Sequence, residues 1–430
     1  MGLETLKKWN PWWVSGTVPA ALSGIERDED LGALSKLISA KEMVAVTGVR
    51  RCGKSTLLFQ LIGSLLKSGV NPTNIFYFNF DDPGEDNSPK TPDAAYNSYR
   101  ELNNPSGRQY VLFDEIQNVK GWEKWVKAHY DLQGRDVKFF VTGSNTSMLS
   151  DSLSKLLTGR MLPYEVYPLS FREYLSFVGF KLEDEDTQKT EIKHHLGRYL
   201  EVGGFPEAVL DRDSDINSQR LREYFNSILF RDIIMARGIK ESAKLAELTK
   251  YVSTNVAGTF SYNKISKVIN LNINTMKEYL HFLQQAYLVF QVNHFSYSLK
   301  ESLALQKPKK VYFIDNGMRN ATAVRHSKDE GKLAENTVFL ELKRRGCEVN
   351  FWKGKNEVDF VAKSPDGALK AINVTYGDEV GPRETKGLIE FSKQHKGAEL
   401  LIITRDAESD QAGVKLTPLW KWLIRGPEKC

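Results

Sequence analysis

Short apolar runs alternate with amphipathic stretches through the first third of the chain. Residues 43–47 are apolar and stop at Gly48, the pattern of a strand buried on both faces. Leu57, Leu58, Leu61, Ile62, Leu65 and Leu66 then recur at helical spacing, and Gly69 ends that helix. Residues 75–80, 110–113 and 137–142 read as three further strands, with a helix carrying Trp122, Trp125 and Val126 before the last. Residues 82–107, rich in Pro, Asn and Ser, read as a long surface insertion. The alternation predicts a doubly wound α/β domain whose ligands sit at the carboxyl ends of its strands.

The pattern changes after Ser170. Residues 170–237 are helical, interrupted at Gly203, Gly204 and Pro206. Residues 239–295 have helix-turn-helix spacing. There Ile265, Val268, Ile273, Met276, Leu280 and Leu283 are expected to face a core, and Asn274, Thr275, Lys277 and Glu278 to face outward. Beyond Lys307 and Pro308, strands return at 311–314, 349–352, 358–362, 371–375 and 400–404, with a helix near Glu335 before most of them. This is a second α/β domain.

With 430 residues the chain exceeds one ordinary core. The net charge of +5 permits nucleic-acid binding without establishing it, because the basic residues are spread along the chain. No apolar run reaches bilayer length, and no apolar stretch follows Lys7 and Lys8, so neither a membrane span nor a secretory signal is expected. Cys52, Cys347 and Cys430 lie far apart with no metal-ligand spacing, which suits a reduced, cytoplasmic protein.

The chemistry concentrates in Gly48-Val49-Arg50-Arg51-Cys52-Gly53-Lys54-Ser55, a full phosphate-loop pattern between a strand and a helix. Glycines let backbone N–H groups turn inward around phosphates, and the helix N-terminus adds to the attraction. Gly48, Arg50, Arg51, Cys52, Gly53, Lys54, Ser55 and Thr56 are therefore the expected ATP contacts, with Lys54 on the β and γ phosphates and Ser55 on Mg²⁺. Residues 110–113 lead into Asp114 and Glu115. Asp114 suits the Mg²⁺ site and Glu115 the base that polarises water, unless the pair is only solvated loop chemistry. Ser144 or Asn145, closing the next strand, suits a γ-phosphate sensor or caps the helix that follows.

These features make the chain resemble prokaryotic AAA-type ATPases near the STAND and origin-recognition branches, with a restriction-endonuclease-like C-terminal domain. The resemblance spans nearly the whole chain. It rests on Asn10-Pro11-Trp12-Trp13, the phosphate loop, Asp114-Glu115-Ile116-Gln117, Thr142-Gly143-Ser144, Gly159-Arg160, Pro168-Leu169-Ser170-Phe171, Gly203-Gly204-Phe205-Pro206 and Lys310-Val311-Tyr312-Phe313-Ile314-Asp315-Asn316-Gly317. It implies an AAA+-type P-loop NTPase domain at 1–168, a helical lid at 169–238, a winged helix at 239–306 and a PD-(D/E)XK-like domain at 307–430. It also implies that Arg27 borders the adenine and that Gly204 and Pro206 touch the nucleoside from the lid, the alternatives being a helix start at Arg27 and a tight turn at Gly203-Gly204. Arg160 would reach the phosphate of a neighbouring subunit in a homo-oligomer, or else form a surface ion pair.

The nuclease-like pattern is incomplete. Glu335 and Asp359 occupy two expected metal positions, but Asn373 stands where the third strand should carry an acid and Thr375 where it should carry lysine. The fold is expected and cleavage is not. Lys343, Arg344, Arg345, Lys353 and Lys355 could still hold a phosphate backbone, or form an ordinary solvated face. Two functions follow from the sequence. One is a DNA-associated ATPase that remodels DNA or a DNA–protein complex. The other is a STAND-type nucleotide switch acting through a protein partner.

Overall fold

The computed structural model describes residues 3–84, 86–146, 157–211, 213–298, 308–323, 329–377, 379–411 and 413–426. Lys307 and Cys430 lie outside them. The chain forms two compact units, Met1–Val166 and Tyr167–Cys430.

The first unit is built on five parallel strands: β1 (Met43–Thr47), β2 (Ile75–Asn79), β3 (Gln109–Asp114), β4 (Val137–Gly143) and β5 (Met161–Glu165). Their spatial order is β2-β3-β4-β1-β5. Every residue of β1, β3 and β4 is buried, which is why these runs read as continuously apolar in sequence. β5 went unforeseen because it is an edge strand, half exposed and carrying Pro163. At the opposite edge, Asn10 pairs with the backbone of Tyr77, accepting from its N–H at 2.7 Å and donating to its carbonyl at 2.9 Å. The indoles of Trp12 and Trp13 donate to the Ile75 carbonyl. The Asn10–Trp13 motif thus covers the open edge of β2, a place where unpaired strand groups would otherwise invite association.

The supposed insertion at 82–107 contains a helix, Thr91–Asn103, with Ala95, Tyr96 and Tyr99 buried. Composition suggested a loop, but this apolar spacing against the sheet outweighs the low helix propensity of Asn, Ser and Pro.

The second unit begins with helices Phe171–Phe177, Lys189–Val202, Pro206–Leu210 and Ser214–Ser227, the last continuing as a wider π-type turn through Ile228–Met235. Helices Ser242–Thr254, Tyr262–Ile269 and Ile273–Gln285 follow. Strands β6 (Thr259–Phe260), β7 (Val289–Val292) and β8 (Lys309–Phe313) form an antiparallel sheet in the order β6-β8-β7. Residues 311–313, expected in the C-terminal α/β domain, therefore pair with the strands around the helical pair. Val268 is 60% exposed rather than in the core. Ile265 and Ile269, one helical turn apart, take the buried stripe and leave Val268 beside it.

Six strands complete the unit: β9 (Glu348–Lys353), β10 (Glu357–Lys363), β11 (Leu369–Thr375), β12 (Glu399–Thr404), β13 (Ser409–Gln411) and β14 (Val414–Pro418). Their order is β13-β14-β12-β11-β10-β9, flanked by helices Glu330–Arg344 and Pro382–Gln394. The segments of this unit interlock. Gly203 has φ +79° and a Cβ there would lie 2.3 Å from the Asp315 carboxylate, while a Cβ on Gly317 would lie 1.8 Å from the Val202 carbonyl. Asp315 accepts from the N–H groups of Gly204 and Met318, each at 2.7 Å. Two motifs more than a hundred residues apart thus form one tight joint.

Candidate functional site

Because β1 and β3 flank β4, the carboxyl ends of all three strands meet. The phosphate loop leaves β1 and enters helix Lys54–Lys67. Gly48 must be glycine, since a Cβ would stand 2.2 Å from the Val166 carbonyl. Arg51 and Gly53 adopt positive φ, +70° and +99°, to turn the loop. The Lys54 ammonium is buried and donates to the carbonyls of Gly48 at 3.0 Å and Val49 at 3.2 Å, with Glu115 at 3.7 Å.

Asp114 is fully buried and accepts from the hydroxyls of Ser55, Thr142 and Tyr77, the last at 2.7 Å. Burial, followed by the nearby charge of Glu115, raises its pKa. Burial would also raise Glu115, but Lys54, Gln117 and Arg50 outweigh it and bring that carboxyl below its usual range. The Glu115 N–H donates to Thr142 Oγ1 at 2.9 Å, so Thr142 ties the two acids together. Gln117 donates to Glu115 and, at 3.4 Å, to Ser144, which is buried at the end of β4. Asn145, next to it, is partly exposed.

The oxygen donors at Ser55 and Asp114 fit a hard divalent cation such as Mg²⁺. Neither Tyr77 nor Gln117 has a role that local sequence spacing assigns, whereas Thr142 belongs to the polar groups expected near the γ-phosphate. Tyr77 was hidden within an apolar strand, and only strand pairing brings its hydroxyl to Asp114.

Arg27 is buried and supports the loop. Its buried guanidinium donates to the Cys52 carbonyl at 2.9 Å and pairs with Asp30 at 2.8 Å. Its backbone N–H donates to Gln60 on the helix after the loop. Neighbouring Glu26 instead lines a cleft of about 510 Å³ with Gly24, Phe59 and Gln60. A Cβ on Gly24 would lie 3.5 Å from the Thr56 methyl, so this segment runs beside the start of the helix. Arg50 lies 3.6 Å from Asp81. Cys52 is a buried thiol whose pKa is raised by burial, in contact with the Val166 carbonyl at 3.5 Å. Arg160 forms the surface ion pair weighed from sequence, with Asp131 at 2.8 Å. Gly204 and Pro206 lie in the second unit, where the Gly204 carbonyl accepts from Leu169 and its N–H meets Asp315.

A second charged cluster occupies the second unit. Lys310, only 2% exposed at its side chain, reaches Glu335 at 3.0 Å, Glu357 at 3.0 Å and Asp359 at 2.8 Å. Tyr312 donates to Glu335 at 2.7 Å. Burial first, and then the charge of Asp359, push Glu335 up to about 7. Burial works against the Lys310 ammonium, but the surrounding Tyr312 and acids hold it charged, well above its ordinary range. Asn373 accepts from the Asp359 N–H and donates to the Glu384 carbonyl, so its amide is engaged in backbone bonds. A divalent ion at Glu335 and Asp359 does not fit this arrangement, because an ammonium already lies between them. Among the described residues, no three or more His, Cys, Asp or Glu side chains are arranged to hold a metal ion by themselves.

The basic patch expected nearby is partly internal. Arg345 pairs with Glu341 at 2.9 Å and lies 4.0 Å from the Trp422 ring, while Arg344 donates to the Pro168 carbonyl at 2.8 Å. Lys353 pairs with Glu357 at 3.5 Å. Among the described residues, no helix is long and apolar enough to cross a membrane.

Residues 40–175 match the model of an AAA domain. Residues 193–329 and 330–422 match two domains of unknown function, DUF8612 and DUF4143. The chain is 31% identical to the uncharacterized protein MJ1544 of Methanocaldococcus jannaschii, over 93% of this chain and 91% of that one. It is 29% identical to an uncharacterized protein of Haemophilus influenzae, over 93% and 99%. The Walker-type ATPase PABY2304 of Pyrococcus abyssi is similar over 69% of this chain and 95% of that one, with 13% identity and a TM-score of 0.46. At 31% identity over most of both chains, the chain belongs to the same family as MJ1544, and it carries an AAA domain at residues 40–175.

Proposed function

We propose that the protein binds ATP with Mg²⁺ at the phosphate loop, hydrolyses it, and couples turnover to remodelling of DNA or a DNA–protein complex. The observation that carries the nucleotide reading is the state of Lys54. Its ammonium is buried on two neutral loop carbonyls, 3.7 Å from Glu115, and gains a stronger partner when an anion enters. Ser55 and Asp114 would hold Mg²⁺, which supplies neutralisation of phosphate charge when bound. Glu115 is held ionised, which suits it to orient and polarise a water. Ser144, bonded to the same glutamine as Glu115, would sense the terminal phosphate, with Asn145 beside it. Arg160 would serve a neighbouring copy only after leaving Asp131.

The DNA reading rests on the helical pair Tyr262–Ile269 and Ile273–Gln285 with its three-stranded sheet, read as a winged helix. Asn274 and Glu278 are exposed and Thr275 and Lys277 partly so, as base or backbone contacts require. The six-stranded region is read as nuclease-like without cleavage. The internal pairing of Arg344 and Arg345 favours a second reading, in which this region recruits a protein and the ATPase is a STAND-type switch.

ATPase rates of the wild type and Lys54→Ala, without DNA and with duplex, single-stranded or branched DNA, test both readings. Salt-sensitive stimulation by DNA, absent in Lys54→Ala, supports remodelling. Turnover indifferent to DNA, together with nucleotide-dependent assembly, supports the switch. Full turnover in Lys54→Ala sinks the nucleotide assignment itself.

A further inference from the structure

The cluster around Lys310 has the makings of a cation site. Glu335 comes from helix Glu330–Arg344, Glu357 and Asp359 from β10, and Lys310 from β8 of a different sheet. Three acids from two elements converge on one point, at 2.8 to 3.0 Å. That distance is a charged hydrogen bond to nitrogen; Mg²⁺ and Ca²⁺ hold oxygen at roughly 2.0 to 2.6 Å. Small inward movements of the carboxylates would close the difference. The acids are 15 to 19% exposed at their side chains, so the cluster is reachable from solvent while the ammonium is buried.

We propose that the Lys310 ammonium is the resident cation of this cluster, so that the natural protein takes up no divalent ion there and loss of the ammonium uncovers a divalent-cation site. Two cations cannot share so small a space, because their repulsion is little screened in a buried setting. One tethered charge cannot balance three acids, so the cluster keeps a surplus of negative charge that a divalent ion would meet better. Tyr312, two residues along β8, donates to Glu335 and holds that carboxylate in place whichever cation is present. Glu384, whose carboxyl is raised by burial and then by Asp359, adds a fourth acid to the field. The inference goes beyond the reading of the phosphate loop and does not depend on it.

The test is Mn²⁺ binding to the full, nucleotide-free chain, followed by paramagnetic resonance and by thermal melting. The proteins are wild type, Lys310→Met, Lys310→Gln, and Lys310→Met combined with Asp359→Asn. The Lys310 variants are expected to gain one Mn²⁺ per chain, bound at least about tenfold tighter than any ion at this cluster in the wild type. Their melting temperature should rise with Mn²⁺ by several degrees, and both effects should vanish when Asp359→Asn is added. A variant that folds only when Mn²⁺ is present supports the proposal equally. A wild-type Mn²⁺ site that disappears in Asp359→Asn overturns it, as do Lys310 variants with no Mn²⁺ dependence in binding or melting. A failed phosphate loop leaves these outcomes unchanged, so the two readings fail separately.

Discussion

Lys54 in the first unit and Lys310 in the second are both buried beside carboxylates, and they are held in opposite ways. Lys54 rests on two neutral carbonyls of its own loop, with a single acid at 3.7 Å. Lys310 is enclosed by three acids at 2.8 to 3.0 Å. A buried ammonium on carbonyls still has electrostatic demand to meet and is ready for an anionic ligand. One surrounded by carboxylates is already satisfied, and its surroundings now depend on it. The same residue type is therefore a ligand-binding group in one place and a structural counter-ion in the other.

Substitutions at the two positions should separate these roles. Lys310→Ala leaves three partly buried acids without their cation, and is expected to cost about 3–5 kcal/mol of stability in denaturant unfolding. A change below 1 kcal/mol would dissolve the contrast. Lys54→Ala should leave unfolding nearly unchanged yet lower ATP turnover by about 10²–10³-fold, the usual cost of removing a donor to transition-state charge. Glu115→Gln should lose turnover by about 10²-fold while retaining nucleotide, which equilibrium binding of a fluorescent ATP analogue would check.

The joint between Gly204 and Asp315 offers a pH test in the second unit alone. Burial raises Asp315 from 3.8 to about 6 despite bonds from Gly204 and Met318 that favour its ionised form. An acid with a raised folded pKa is protonated in the fold while already ionised in the unfolded chain. Its contribution to stability should therefore fall as pH rises from about 4 to about 6, by at most about 3 kcal/mol, and level off above, while Glu335 adds its own fall up to about 7. Asp315→Asn should make that fall shallower in melts of the whole chain. Arg160→Ala should have the smallest effect, because its partner Asp131 is a surface acid. An unchanged melting temperature is expected, and loss of turnover on assembly would instead give Arg160 its role in a neighbouring site.

Much of the nucleotide site was legible because it is contiguous. Eight residues from Gly48 to Ser55, and Asp114 with Glu115 after a strand, carry their chemistry in local spacing. The boundaries of the apolar runs held for the same reason, since a strand buried on both faces needs an unbroken apolar run. Half-exposed β5 and the helix at Thr91–Asn103 escaped notice, because edge position and packing outweighed composition there.

The cluster in the second unit shows the other limit. Glu335 and Asp359 stand where the nuclease-like resemblance implies metal-holding acids, and Thr375 stands where it implies a lysine cation. Lys310 was in plain view within a motif, but β8 had been placed in the wrong sheet. Only its pairing with β6 and β7 carries that ammonium to the acids. Likewise Gly203, Gly204 and Asp315 are far apart in sequence, and close packing alone makes them one joint. The sequence by itself determined the phosphate loop, its acidic companions and the buried strands of the first unit, because these depend on neighbours along the chain. The tertiary structure decided which charge answers which, because a buried charge is governed by whatever the fold brings within about 4 Å of it.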